Sequence, residues 1–266
     1  MMQDNIKVGF CGVGNMAGAI LKAALSSGVL VPEQIVAFDP TKSNLDRFSG
    51  INCANSNREV CEKCDLVFLG IKPQMLSDVS NEIDGALSGK CVVSILAGVS
   101  VAKLCEVLGD IYAIRVMPNT PMIVAKGCTA IARNDAVPQS LFDLVCSIFK
   151  ASSEVVEVCE NEINRIIPLS SSSPAFFFRL IRAMIDSGVK SGIDYETAKK
   201  LAISTMHGVS HLMEASDKSP DELIAQVTSP GGTTLAALTA FDEFEFEKMI
   251  DTAFERTVNR ADELGK

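Results

Sequence analysis

The sequence predicts an α/β protein whose first half is a doubly wound parallel sheet and whose second half is all-helical. Short apolar runs alternate with amphipathic stretches as far as residue 158, and no strand candidate follows. The runs Ile6–Cys11, Ile35–Phe38, Leu66–Ile71, Cys91–Leu96 and Ile111–Val116 are apolar almost throughout, as strands covered on both faces must be. Between them Asn15–Ser26, Ser56–Cys61, Gln74–Leu87 and Val101–Leu108 repeat apolar residues at helical spacing, the strand–helix–strand rhythm of a parallel sheet. Cys128–Ala132 and Ser153–Val158, with a helix at Gln139–Phe149 between them, are expected to complete its far edge. Helices are then expected over Glu160–Ile167, Ala175–Lys190, Tyr195–Ala215, Asp221–Thr228, Thr233–Phe241 and Glu245–Leu264. Ser, Pro and Gly break the pattern at Ser170–Pro174, Ser216–Pro220 and Ser229–Gly232. The division is therefore 1–159 for the α/β domain and 160–266 for the helical one. Helix Ala175–Ile185, with Phe176-Phe177-Phe178, is apolar on more than one face, which points to a homo-oligomer interface in this half.

Composition narrows the function classes. The 266 residues are 47% hydrophobic and 21% charged, an ordinary globular balance. Lys plus Arg number 24 against 33 Asp plus Glu, for a net charge of −9, which argues against a nucleic-acid partner. No run approaches the roughly 18 apolar residues of a membrane span, and Met1–Lys7 lacks the basic and apolar regions of a signal peptide. A cytoplasmic protein with reduced, largely buried thiols is expected from the odd count of nine cysteines. Cys61-Glu62-Lys63-Cys64 has no second pair at zinc spacing and reads as two cysteines one helical turn apart. His207 and His211, the only histidines, share a helix face without a third ligand, so no metal site is expected and no Ser-His-Asp arrangement exists.

Three loops can carry chemistry. Gly12-Val13-Gly14-Asn15-Met16-Ala17 follows the first strand and opens a helix, the context in which G-x-G-x-x-A binds a dinucleotide. Gly12 allows the tight turn, Gly14 lets a pyrophosphate approach the backbone, and Ala17 is small enough for helix–strand packing. Asp39 ends the second strand, where an acid can hold ribose hydroxyls; Thr41-Lys42-Ser43 can equally hold a 2′-phosphate, and Asp39-Pro40 can be a plain turn. Arg115-Val116-Met117-Pro118-Asn119-Thr120-Pro121 and Ile71-Lys72-Pro73-Gln74 lie at carboxyl ends of strands, either rigid turns or nicotinamide-side contacts, with the Asn119 amide able to donate and accept. Thr228-Ser229-Pro230-Gly231-Gly232-Thr233-Thr234 precedes an apolar helix and is either a helix cap or an anion site for a small carboxylate.

Together these segments resemble the pyrroline-5-carboxylate reductases, nearly end to end. The resemblance is carried by Gly9–Met16, Lys72-Pro73-Gln74, Ser94–Val99, Met117–Pro121, Ser172–Ala175 and, most specifically, Thr228–Thr234. It implies a Rossmann domain followed by an all-α dimerisation domain, an active site shared between the two, and a homodimer that some members assemble into decamers. It implies NADPH or NADH held by Gly12, Gly14, Asn15, Met16, Asp39, Lys42, Lys72, Pro73, Ala97, Gly98, Pro118 and Asn119. The substrate carboxylate falls to Ser229, Gly231, Gly232, Thr233 and Thr234, and the Thr234 hydroxyl stands near the imine nitrogen as the catalytic group. Ser170-Ser171-Ser172 departs from the family's Ser-Gly-Ser, and Glu245-Phe246 from its Gly-Phe. The implied product is L-proline, made by hydride transfer to a cyclic imine. That chemistry requires no metal or strong base, since a hydroxyl or water can supply the proton. 3-Hydroxyacid dehydrogenases share the outline but use a lysine early in the helical domain, and residues 151–189 contain none. Two other readings stay open: a non-catalytic dinucleotide sensor, and a reductase of six-membered imines.

Overall fold

A computed structural model describes residues 6–265. The elements of the first half, in chain order, are β1 (Val8–Cys11), α1 (Asn15–Ser26), β2 (Ile35–Phe38), α2 (Lys42–Leu45), β3 (Asn52–Cys53), α3 (Asn57–Lys63), β4 (Leu66–Leu69), α4 (Leu76–Ile83), β5 (Cys91–Ser94), α5 (Val101–Leu108), β6 (Tyr112–Met117), β7 (Gly127–Arg133), α6 (Gln139–Lys150) and β8 (Ser153–Glu157). They form one eight-stranded sheet in the order β3-β2-β1-β4-β5-β6-β7-β8.

The strands are apolar on both sides because each side faces a helix layer. Val8, Phe10, Leu66, Phe68, Val93 and Ile114 pack with α1 and α6, whereas Cys11, Val36, Val67, Leu69 and Val92 pack with α3, α4 and α5. Phe10 stacks on Phe68 across β1 and β4, ring centroids 4.7 Å apart. Burying a side chain of that size contributes about 1.5–3 kcal/mol.

The expected strands and helices are present, with instructive differences. β7 runs antiparallel to β6, the one such pair in a sheet otherwise parallel among the described residues. Their connection Pro118–Lys126 is a short 3₁₀ turn, and a parallel crossover needs about a dozen residues or more. β3, two exposed residues, and α2, a single turn, are too short for a periodic pattern and were not expected. The helix expected over Gln74–Leu87 begins as a 3₁₀ turn at Pro73–Met75 and ends at Ile83, before the Asp84-Gly85 turn.

The remaining helices are α7 (Ile163–Ile166), α8 (Ser173–Lys190), α9 (Tyr195–Glu214), α10 (Pro220–Val227), α11 (Thr233–Glu243) and α12 (Phe246–Leu264). The described chain forms two compact units, one of residues 6–174 with 256–265 and the other Ala175–Glu255. Residues 160–174 and the end of α12 thus pack with the sheet. Ile163, Ile167 and Ala261 join Met117, Ala130 and Ala132 in an apolar cluster. Arg115, 2% exposed, pairs there with Glu160 at 2.8 Å and donates to Asn164, whose amide donates to Asp262 at 2.6 Å. The second unit has a small core of its own: Ile185, Ala198 and Ala202 with half-buried Ile181. Phe177, Phe178, Leu201, Val209, Val227 and Phe244 stay exposed on it.

Candidate active site

In the parallel part of the sheet every strand ends on the same edge, and strand order reverses beside β1. Ligands of open α/β sheets bind at such a switch point. Gly12 leaves β1 at φ +88°, its N–H donating to the Phe38 carbonyl at 2.8 Å. A Cβ on Gly12 would stand 2.8 Å from the Gly70 carbonyl oxygen, so both the turn and the close approach of β4 require glycine. Gly14 differs. It caps α1 with an ordinary φ of −63°, and a Cβ there would meet no protein atom within 4 Å. Neither conformation nor packing calls for glycine at 14, and the space over the helix start is open. Asn15 is exposed, half-buried Met16 packs on the core, and Ala17 is buried against Gly70.

Asp39, 8% exposed at the end of β2, already has three donors from its own chain. Its Oδ2 accepts the Val13 N–H at 2.8 Å, and its Oδ1 accepts the Thr41 N–H at 2.9 Å and the Asn44 amide at 3.1 Å. Arg47 lies across the same loop. Its Nε donates to the Asn44 carbonyl at 3.0 Å and its Nη2 to the Val13 carbonyl. Lys42 is exposed at the first position of α2.

Along the rest of the edge, Lys72 is exposed and half-buried Pro73 opens a 3₁₀ turn. Ala97 packs on the apolar cluster of Met117 and Ile163, and Gly98 lies under the end of α12, where a Cβ would meet the Ala261 carbonyl at 2.4 Å. The need for glycine at 98 is thus met by the approach of that helix. Buried Asn119 uses both ends of its amide within the fold: Oδ1 accepts the Cys128 N–H at 2.9 Å and Nδ2 donates to the Ser170 carbonyl at 3.3 Å. Ser171 donates its hydroxyl to the Pro118 carbonyl at 3.1 Å, which ties the Ser170–Ser172 turn to the loop after β6. Ser171→Gly is expected to lower unfolding stability by about 1 kcal/mol, through the lost bond and the freer backbone, read from urea unfolding. An unchanged or higher midpoint would show that the hydroxyl holds nothing.

In the second unit, Gly232 caps α11 without a side-chain cap, so the N–H groups at the start of that helix have no partner of this kind. The turn before it closes by the Gly232 N–H donating to the Ser229 carbonyl at 2.9 Å. Ser229, Gly231 and Thr233 are exposed and Thr234 half-buried. No acidic residue stands in the first turn to repel a carboxylate.

Comparison with known proteins accounts for both halves. The model for pyrroline-5-carboxylate reductase dimerisation matches residues 160–264, and one described as NADP oxidoreductase, coenzyme F420-dependent, matches residues 7–98. The pyrroline-5-carboxylate reductase of Escherichia coli is 36% identical over 98% of this chain and 98% of its own. That of Synechocystis is 34% identical over 98% and 99%. The chain belongs to the pyrroline-5-carboxylate reductase family. The Plasmodium falciparum pyrroline carboxylate reductase, solved with NADP bound, superposes with a TM-score of 0.92 at 29% identity, covering 99% of this chain and all of that one.

For a member of this family, the residues at the sheet edge fit NAD(P)H: the space above Gly14, the free start of α1 and the turn at Gly12 make a cradle for its phosphates. Local sequence does not mark Arg47 or Asn44. Arg47 follows a one-turn helix among polar residues, and nothing local marks a reach back to Val13. Cys61 and Cys64 are buried free thiols, and Cys11 lies 3.8 Å from Cys61, Sγ to Sγ. Burial pushes the Cys64 and Cys91 thiols up to about 12, so neither forms a thiolate readily. His207 and His211 are exposed with ring centroids 4.4 Å apart, and no group of three His, Cys, Asp or Glu that could hold a metal occurs among the described residues.

Proposed function

We infer that the chain reduces the C=N bond of 1-pyrroline-5-carboxylate to give L-proline, with NADPH or NADH as reductant. The observation that carries this reading is one chain holding both a dinucleotide edge with an open glycine at 14 and an uncapped helix start ringed by hydroxyls at 229–234. Bound NAD(P)H supplies the hydride. Gly12, Gly14, Asn15 and Met16 present the loop and helix start to its phosphates, with Lys42 on the ribose side and Asp39 behind the loop, bonded to the Val13 N–H. Lys72, Pro73, Ala97, Gly98, Pro118 and Asn119 shape the edge toward the nicotinamide. The substrate carboxylate is held by backbone N–H groups and hydroxyls of Ser229, Gly231, Gly232, Thr233 and Thr234. The Thr234 hydroxyl assists protonation at the imine nitrogen, a modest demand because such nitrogens are readily protonated. Holding the imine carbon in line supplies most of the remaining acceleration.

The second unit pairs with that of another copy, which covers its exposed apolar side chains; light scattering distinguishes a homodimer from a decamer of such dimers. All nine cysteines are free, which agrees with a reducing cytoplasm, and no helix among the described residues is long and apolar enough to cross a membrane. The test follows oxidation of NADPH and NADH with the five- and six-membered cyclic imines side by side. Turnover is expected with the five-membered ring, and one methylene limits discrimination to about 1–3 kcal/mol. Protein that binds the cofactor but turns over neither imine would be a sensor, and the proposal would fall.

A further inference from the structure

Val13 is held at both of its backbone polar groups by the loop after β2. Its N–H donates to Asp39 Oδ2 at 2.8 Å, and its carbonyl accepts from Arg47 Nη2. That carbonyl precedes the helix cap at Gly14, so no N–H of α1 can satisfy it in the helical pattern. Gly18 makes the reach possible, because a Cβ there would sit 2.8 Å from Nη2 and 3.2 Å from the Val13 oxygen. The two gripping side chains are themselves tied together through Asn44, whose amide donates to Asp39 and whose carbonyl accepts from Arg47 Nε. Asp39 is buried and already accepts three hydrogen bonds from its own chain.

We propose that Asp39 and Arg47 are positioning residues that clamp the Gly12–Gly14 loop in its pyrophosphate-binding shape, rather than groups that read the 2′ position of the cofactor ribose. This rests on the assignment of that loop to NAD(P)H phosphates. A loop held beforehand loses less conformational freedom when the ligand arrives, and the pyrophosphate is common to both nucleotides. Loosening the clamp therefore weakens NADPH and NADH by one common factor. A residue that read the 2′ position would change one far more than the other, since a carboxylate favours a 2′-hydroxyl and a guanidinium a 2′-phosphate.

The experiment measures Kd for NADPH and NADH, and kcat at saturating cofactor, in wild type, Asp39→Asn, Arg47→Met and Arg47→Lys, well below each variant's Tm. Asp39→Asn and Arg47→Met are expected to raise both Kd values about tenfold or more, as for the loss of a charge-assisted bond, with the NADPH/NADH ratio kept within about twofold. For Arg47→Met the kcat at saturating cofactor should stay near wild type, and Arg47→Lys, still able to donate once to the Val13 carbonyl, should recover part of the affinity. A role in stability alone would lower Tm and leave both Kd values unmoved, which overturns the clamp. A ratio shifted tenfold in either variant overturns it too, by showing that the residue reads the ribose. Should Asp39→Asn fail to fold, the exposed arm of Arg47 carries the same test. Gly14→Val separates the premise from the proposal. If it abolishes binding while the clamp variants bind like wild type, only the clamp falls; if it binds normally, the loop assignment falls with it.

Discussion

Gly14→Val is expected to abolish NAD(P)H binding while the protein stays folded. The backbone at Gly14 has a φ of −63°, which any residue adopts, and a Cβ there touches no protein atom within 4 Å. The branched side chain would fill the space over the first turn of α1, where backbone N–H groups and the positive end of the helix dipole meet phosphate. Its cost to the fold is that of a poorer helix cap, about 1 kcal/mol or less. Gly12→Ala makes the contrast. With φ at +88° and the Gly70 carbonyl 2.8 Å from the added carbon, it should strain the loop and lower Tm directly. Fluorescence titration with NADPH, beside a melting curve without ligand, separates the two. A normal titration curve for Gly14→Val would remove the phosphate-loop assignment.

Thr234→Ala should lower kcat about 100-fold, the low end for loss of a group that assists proton transfer. The dinucleotide Kd should not change, because Thr234 is assigned to the substrate and not to the phosphate loop. Thr234→Ser, which keeps the hydroxyl, should recover most of the rate. Alanine at 234 is an ordinary residue in the first turn of a helix, so the fold is not at risk. Wild-type turnover by Thr234→Ala would take the hydroxyl out of the mechanism and leave the proton to water.

Much of this architecture is legible in the sequence because it depends on local periodicity. β2, α1 and α5 occupy the residues the pattern predicts, since a strand covered on both faces is apolar throughout and a helix repeats its apolar face every 3.6 residues. β3 shows no pattern for the converse reason: Asn52 and Cys53 are exposed and join β2 by strand pairing and by the Asn52 amide donating to the Ile35 carbonyl. The direction of β7 is not in its own apolar pattern, which reads the same either way; it lies in the short connection from β6.

At the candidate site the chain's order of residues by itself determined the glycine loop after the first strand, the acid ending the second, the proline-bounded turn after the sixth and the glycine–threonine helix start near the end. These are contiguous motifs whose chemistry follows from residue type and spacing. Only the tertiary structure decided what the neighbouring side chains do. Asp39 is engaged by Val13, Thr41 and Asn44, Asn119 by Cys128 and Ser170, and Ser171 by Pro118. Arg47 reaches Val13, and Gly98 yields to the end of α12. Most of these contacts join residues far apart in the chain, and a hydrogen bond or a close approach depends on ångström-scale placement that no local pattern encodes.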